Sequence, residues 1–315
     1  MTHRQFYPEV QGVKSRKWAI KVKFALIYVT DSSFLNNVFY ARYWRGWLEK
    51  INTKLCLLLA LLGFVGCQSN VTSDFPRLAE PLDAHKFYGS AHDVMIYSNN
   101  LVEPLQSLNI YLEGDGRPWI KRFYINSDPS PLYPLGLDLM TRDAGPAMYV
   151  TRPCYNIETD ERCRSELWTS ARYSPEVVRA MSEAIESELA TFENVERITL
   201  IGYSGGGTLA LLIAQEIERV SRVITVAGSL DTEAWTRLHK YSSLSASINP
   251  ADVPLRRNVA YIHLLGEKDK NIPPETGVSV YSQFGHRHIV YERYNHSCCW
   301  VQDWPEILRE LEPMK

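Results

Sequence analysis

Several things are scarce in this sequence, and each scarcity narrows its function. Its six cysteines include no C-x-x-C spacing, which gives no support to a structural zinc site. No apolar run reaches the ~18–20 residues of a membrane-spanning helix; the longest, residues 55–66, has twelve. Positive charge is not in excess, with 34 Lys+Arg against 36 Asp+Glu. Without a basic surplus there is no electrostatic footprint for nucleic acid. No internal repeat or low-complexity tract is present, and no methionine stands between Met1 and Met95.

The twelve-residue run is informative because it is short. It follows Lys50 and Lys54 and ends in Phe64-Val65-Gly66-Cys67. Basic flank, apolar core and terminal cysteine are the order of a secretory leader. The ending resembles a bacterial lipobox, with Phe64 where leucine is usual, and makes Cys67 the lipidation site. Residues 48–66 are then a lipoprotein signal peptide. Residues 1–47 fit poorly ahead of it and read as an extension or a mis-assigned translation start, and 67–90 read as a tether. An exported, lipid-anchored protein facing the periplasm is expected. Residues 1–66 hold 10 of the 34 basic residues and 3 of the 36 acidic ones, so the remainder carries a net charge of −9. Residues 91–315 suit one α/β domain.

Export permits disulfides among Cys154, Cys163, Cys298 and Cys299, which allow three pairings. Cys154 with Cys163 closes a loop of about ten residues and is the favoured pair. Cys298 and Cys299 are adjacent, and a bond between them would be strained, which leaves them reduced or paired differently.

Period and propensity predict strands at 92–98, 108–112, 147–152, 197–201, 222–227, 258–265 and 287–293. Helices are predicted over 175–192, with Ser174 as N-cap and Pro175 at the first position, over 207–217, and at the C-terminus. Strands alternating with helices imply a mostly parallel sheet covered on both faces. The thirty or so residues between the strands at 222–227 and 258–265 carry Trp235, Leu238 and Tyr241 and are long enough for a small helical flap.

Gly202-Tyr203-Ser204-Gly205-Gly206 is a G-x-S-x-G pentapeptide between one of these strands and a helix. A serine on so sharp a turn is lifted clear of the sheet, with a helix N-terminus beneath it. Its hydroxyl is a poor nucleophile without an adjacent base and a group to orient that base. Downstream, Asp269 follows a strand in G-x-x-D-x-x-I-P, and His296 follows the last strand. Asp231 is a rival acid; His286 and His288 are rival bases, but they lie at or within the last strand rather than after it. The oxyanion needs two N–H donors: Gly205, next to the serine, and Asp115, in the Glu113-Gly114-Asp115-Gly116 turn after an early strand. Arg117, Pro118 and Trp119 would border the pocket. An Asp-Gly turn is also a common hairpin signal.

On these residues, 90–315 resemble the α/β-hydrolase superfamily, in particular its lipid-anchored bacterial esterase-like members. The resemblance implies an eight-stranded, mostly parallel sheet, a Ser204–His296–Asp269 triad and a serine hydrolase of ester-type acyl bonds. Its substrate is a small-molecule or lipid acyl compound, and no metal or organic cofactor is needed. Glu113-Gly114 departs from the His-Gly usual in that superfamily. Two other readings compete. Gly205-Gly206-Gly207-Thr208-Leu209-Ala210 matches G-x-G-x-x-A, with Asp231 near the place of a ribose-binding acid; this dinucleotide reading leaves Asp269 and His296 idle. The fold also permits a non-catalytic binding lipoprotein of the cell envelope.

Overall fold

Strand β3 (Ser107–Leu112) shows how the sheet is built. Leu108, Ile110 and Leu112 point to one face and Tyr111 to the other, all fully buried, as the two-residue period of a strand covered on both sides requires. The computed structural model describes residues 73–156, 160–192, 195–282 and 286–311. The expected extension at 1–47, the expected signal peptide at 48–66 and the expected lipidation site Cys67 lie outside the described residues.

Eight strands form one sheet: β1 (Asp83–Phe87), β2 (Val94–Asn99), β6 (Ala147–Val150), β3, β7 (Arg197–Tyr203), β8 (Val220–Val226), β9 (Ala260–Gly266) and β10 (Arg287–Tyr291), in that spatial order. β1–β2 and β2–β6 pair antiparallel; every other neighbour pair is parallel. A separate two-stranded ribbon is made by β4 (Trp119–Ile120) and β5 (Tyr124–Ile125). This is the α/β-hydrolase fold, with helices on both faces of a mixed, mostly parallel sheet.

Helix α3 (Pro175–Leu189) begins as its sequence predicts. Ser174 accepts the Val177 N–H, Pro175 occupies the first turn, and Val178, Met181, Ile185 and Leu189 are buried. Helix α4 (Gly205–Glu216) is apolar all round and buried from Gly205 to Ala214. On the opposite face lie α2 (Leu135–Thr141) and α7 (Trp300–Leu311), whose Trp300, Trp304, Ile307 and Leu311 are buried. Between β8 and β9, the expected flap region contains α5 (Thr232–His239). The remaining helices are short, α1 (Phe75–Ala79) and α6 (Val278–Tyr281).

From residue 73 onward the expected tether is not a free linker. Phe75 and Leu78 of α1 are buried, with Phe75 edge-on to Tyr97, and β1 pairs residue by residue with β2. β1 is polar (Asp-Ala-His-Lys-Phe) because it is an edge strand. Backbone pairing holds it, and edge strands tolerate charge. Among the described residues no helix is long and apolar enough to cross a membrane.

Candidate active site

β7 runs directly into α4, and Ser204 occupies the corner. Its φ of 52° and ψ of −119° lie where a side chain is strained, by about 1–3 kcal/mol. Neighbours hold it there: Ser204 N–H donates to Val226 O at 3.0 Å, while Ser204 O accepts Gly207 N–H and Ser229 N–H, each at 3.0 Å. Glycine is obligatory beside it. A Cβ on Gly202 would sit 2.1 Å from Gly206 O, and one on Gly206 would sit 2.2 Å from Leu112 O.

His296 Nε2 lies 3.1 Å from Ser204 Oγ, and its Nδ1 lies 2.8 Å from Asp269 Oδ2. Asp269 is buried at the end of β9, where its Oδ1 accepts the N–H groups of Asn271 and Ile272 at 2.8 Å each. With both oxygens fixed, the carboxylate accepts the Nδ1 N–H and leaves the Nε2 lone pair facing the serine. Asn271 Nδ2 also reaches His296 Nε2, at 3.1 Å. Neither the sequence pattern nor the spacing pointed to Asn271.

The rival residues are engaged elsewhere. Asp231 caps α5 by accepting the Ala234 N–H at 2.9 Å, and it accepts the Ser279 hydroxyl at 2.9 Å. His286 Nδ1 lies 3.2 Å from buried His263 Nε2, and the His288 ring packs against Tyr281 with centroids 4.7 Å apart. The dinucleotide reading fails on the same ground. Gly205–Gly207 belong to α4 of a hydrolase sheet, and Asp231 is used as a helix cap.

The loop after β3 comes against the serine. A Cβ on Gly114 would lie 3.2 Å from Ser204 Cβ, and one on Gly205 would lie 2.2 Å from Asp115 Oδ1. No acceptor among the described residues takes the backbone N–H of Asp115 or of Gly205. Both therefore remain available to a ligand oxygen. The Asp115 side chain is clamped by Arg152 Nη1 at 2.6 Å, Arg172 Nη1 at 2.9 Å and Tyr173 OH at 2.7 Å. Burial pushes its pKa up, but Arg172, Arg152 and the tyrosine outweigh burial and hold it at about 2. Beneath the loop, Glu113 is buried. It accepts N–H groups from Gly114 and Gly136 at 2.9 Å each, yet burial dominates and its carboxyl is pushed up to about 7.

These residues line a cleft of about 1070 Å3, bordered by Arg117, Pro118 and Trp119 on one loop and Lys240 and Tyr241 beyond α5. Cys154 and Cys163 are joined in a disulfide. Cys298 and Cys299 are joined to each other, a correction to the expectation from their adjacency. The turn after His296 brings them together: Asn295 Oδ1 accepts the Ser297 and Cys298 N–H groups, and Cys298 O accepts the Asn295 N–H. Among the described residues, His92, Cys154 and Cys163 place three ligand-type atoms within 4.8 Å of one another, but the two sulfurs are bonded as a disulfide.

Comparison with known proteins adds the lineage. Est1E from Butyrivibrio proteoclasticus is 11% identical, with 72% of this chain and 96% of that chain covered at a TM-score of 0.48. Acetyl xylan esterase 1 from Thermoanaerobacterium sp. JW/SL YS485 is 13% identical, covering 76% and 92% at 0.46. Carboxylesterase CesB (YbfK) from Bacillus subtilis is 10% identical, covering 75% and 92% at 0.47. No curated protein sequence matches this chain. The profile of the dienelactone hydrolase family matches residues 137–295, about half of the chain and a span that includes Ser204 and Asp269. On that match the chain belongs to the dienelactone hydrolase family of the α/β-hydrolase superfamily.

Proposed function

We propose that this hydrolase is a serine esterase whose nucleophile is Ser204. One observation carries the reading. A single imidazole, His296, joins the hydroxyl at 3.1 Å to a buried carboxylate at 2.8 Å, while the serine occupies a strained strand-to-helix corner. Ser204 Oγ attacks an acyl carbonyl as His296 Nε2 takes its proton. Asp269 keeps Nδ1 protonated and stabilises the imidazolium. The N–H groups of Asp115 and Gly205 receive the oxyanion. His296 then returns the proton to the leaving alkoxide, and water, deprotonated by the same imidazole, cleaves the acyl-enzyme. Carboxylic esters are the substrate class; the lactone of the family's name is a cyclic ester that this chemistry opens equally well.

The same proposal places the protein in the cell envelope, lipid-anchored through Cys67 after removal of a leader at 48–66. The leader's basic flank and twelve-residue apolar core support it. Incorporation of labelled palmitate by wild type and its loss in Cys67→Ser are expected; equal labelling of both would contradict the anchor.

Hydrolysis of a short p-nitrophenyl ester tests the mechanism. Ser204→Ala and His296→Ala are each expected to lower kcat by roughly 10³-fold or more, and the double variant to lose no more than either alone, because the groups act as a unit. A Ser204→Ala variant with the wild-type rate would refute the assignment.

A further inference from the structure

The β4–β5 ribbon stands beside the cleft and is exposed along its whole length. Trp119 pairs with Ile125 and Ile120 with Tyr124, and the turn closes with Phe123 N–H donating to Ile120 O at 3.2 Å. Its two central residues, Lys121 and Arg122, have φ of 50° and 67°. Such a turn is of the I′ kind, ordinarily built from Asn-Gly because any residue with a Cβ is strained there. Two long cations therefore occupy the tip against their backbone preference. A ribbon that merely connected β3 to α2 would have no need of them.

Around these cations are apolar side chains. Phe123 is 82% exposed and Tyr124 69%, with Trp119, Ile120 and Ile125 also open to solvent. So dense a group of exposed apolar residues in one short segment marks a contact surface. The ribbon's base is fixed. Buried Asn126 donates its backbone N–H to Pro118 O at 2.9 Å and its side-chain amide to Arg117 O at 3.0 Å, and it accepts the Trp168 indole N–H at 3.0 Å. The apolar surface is thus presented in one orientation.

Aromatic and aliphatic side chains interleaved with lysine and arginine suit the interface of an anionic bilayer. Rings settle at headgroup depth while cations meet lipid phosphates. The chain as a whole is net negative at −2, so attraction to such a surface must come from a local patch, and the ribbon tip supplies one. Trp119 and Arg122 also line the cleft, as do Lys240 and Tyr241, which repeat the pairing of cation and aromatic ring at its mouth. We infer that the Trp119–Ile125 ribbon docks the mouth of the cleft on an anionic phospholipid surface, so that acyl substrate enters from the membrane. The substrate class then narrows to esters of membrane-resident acyl lipids, a clause that rests on the serine esterase reading, whereas docking does not.

The test uses the full-length protein carrying Phe123→Trp. Its added emission is read on phosphatidylglycerol–phosphatidylcholine vesicles with and without brominated acyl chains. The introduced indole reports the ribbon itself, whatever residues 1–72 do. At least twofold quenching of the added signal by bromolipid is expected, and less on vesicles of phosphatidylcholine alone. No quenching would overturn the proposal, as would ribbon-dependent self-association without quenching, which would assign the surface to a second copy of the chain. A second variant, Phe123→Ser with Tyr124→Ser, removes only exposed side chains outside the cleft lining. It is expected to hydrolyse a soluble ester at the wild-type rate and a vesicle-embedded ester at least tenfold more slowly; equal rates on both would overturn the delivery role. Quenching without hydrolysis of either ester would leave docking standing and remove the esterase reading.

Discussion

The carboxyl groups of Glu113 and Asp115 stand two residues apart on one loop and titrate in opposite directions because of what surrounds each. Burial raises Glu113 to about 7, and four hydrogen bonds from Gly114, Leu137, Gly136 and Tyr149 only partly oppose it. Between pH 4.5 and about 7 the folded protein therefore holds a proton that the unfolded chain releases. Stability falls as pH rises through that window, by ~3 kcal/mol in all. Buried His263, whose pKa is lowered to about 3 by burial and by His286 and His288, has the opposite slope between pH 3 and 6.5. The Glu113 contribution is thus read by difference. Glu113→Gln should gain on wild type by up to ~3 kcal/mol between pH 4.5 and 7.5 in urea unfolding, and a gap that does not change with pH would contradict this. Asp115 contributes stability above its unfolded pKa that is lost as pH falls through about 2. Asp115→Asn leaves two buried guanidinium groups without their counter-charge and should lose about 3 kcal/mol in the same assay. On the proposed mechanism it should also reduce turnover about tenfold, since the clamp holds the loop whose N–H is proposed to receive the oxyanion.

Among the elements, the Cys154–Cys163 link closes its loop in the unfolded chain as well. By chain entropy it contributes about 2.7 kcal/mol, worth roughly 5–10 °C in a domain of this size. Cys154→Ser with Cys163→Ser should lower the Tm by that amount at pH 7. An unchanged Tm would mean the loop is held by its ion pairs alone, among them Arg162 with Asp160 and Asp93. What could be read from sequence also divides by element. β3, β7, β8 and β9 were legible because strands buried on both faces are continuous apolar runs. β1 was not, because its residues Asp83–Phe87 are held by backbone pairing at an edge. α2 gave no starting signal either. Its N-cap is Pro134, without a side-chain cap, and the Gly136 and Leu137 N–H groups are received by Glu113 from a distant part of the chain. Asp231 follows a strand as a catalytic acid would, but it caps α5, the helix of the expected flap.

At the scale of the whole molecule, Ser204, Asp269 and His296 were legible because their order along the chain and their positions after strands are properties of sequence. The clamp on Asp115 was not. Arg152, Arg172 and Tyr173 lie 37, 57 and 58 residues away, and only the closed sheet brings them to the loop. Parallel strands that all deliver their C-terminal ends to one edge bring Ser204, His296, Asp269 and the loop of Asp115 together at one cleft, with the Trp119–Ile125 ribbon beside its opening. The most direct test of this arrangement is reaction of the folded full-length protein with a fluorophosphonate, with the adduct located by peptide mass. The account predicts one adduct, on Ser204, absent from Ser204→Ala and slowed at least a hundredfold in His296→Ala. A folded wild-type protein that forms no adduct, or forms it on another serine, would contradict it.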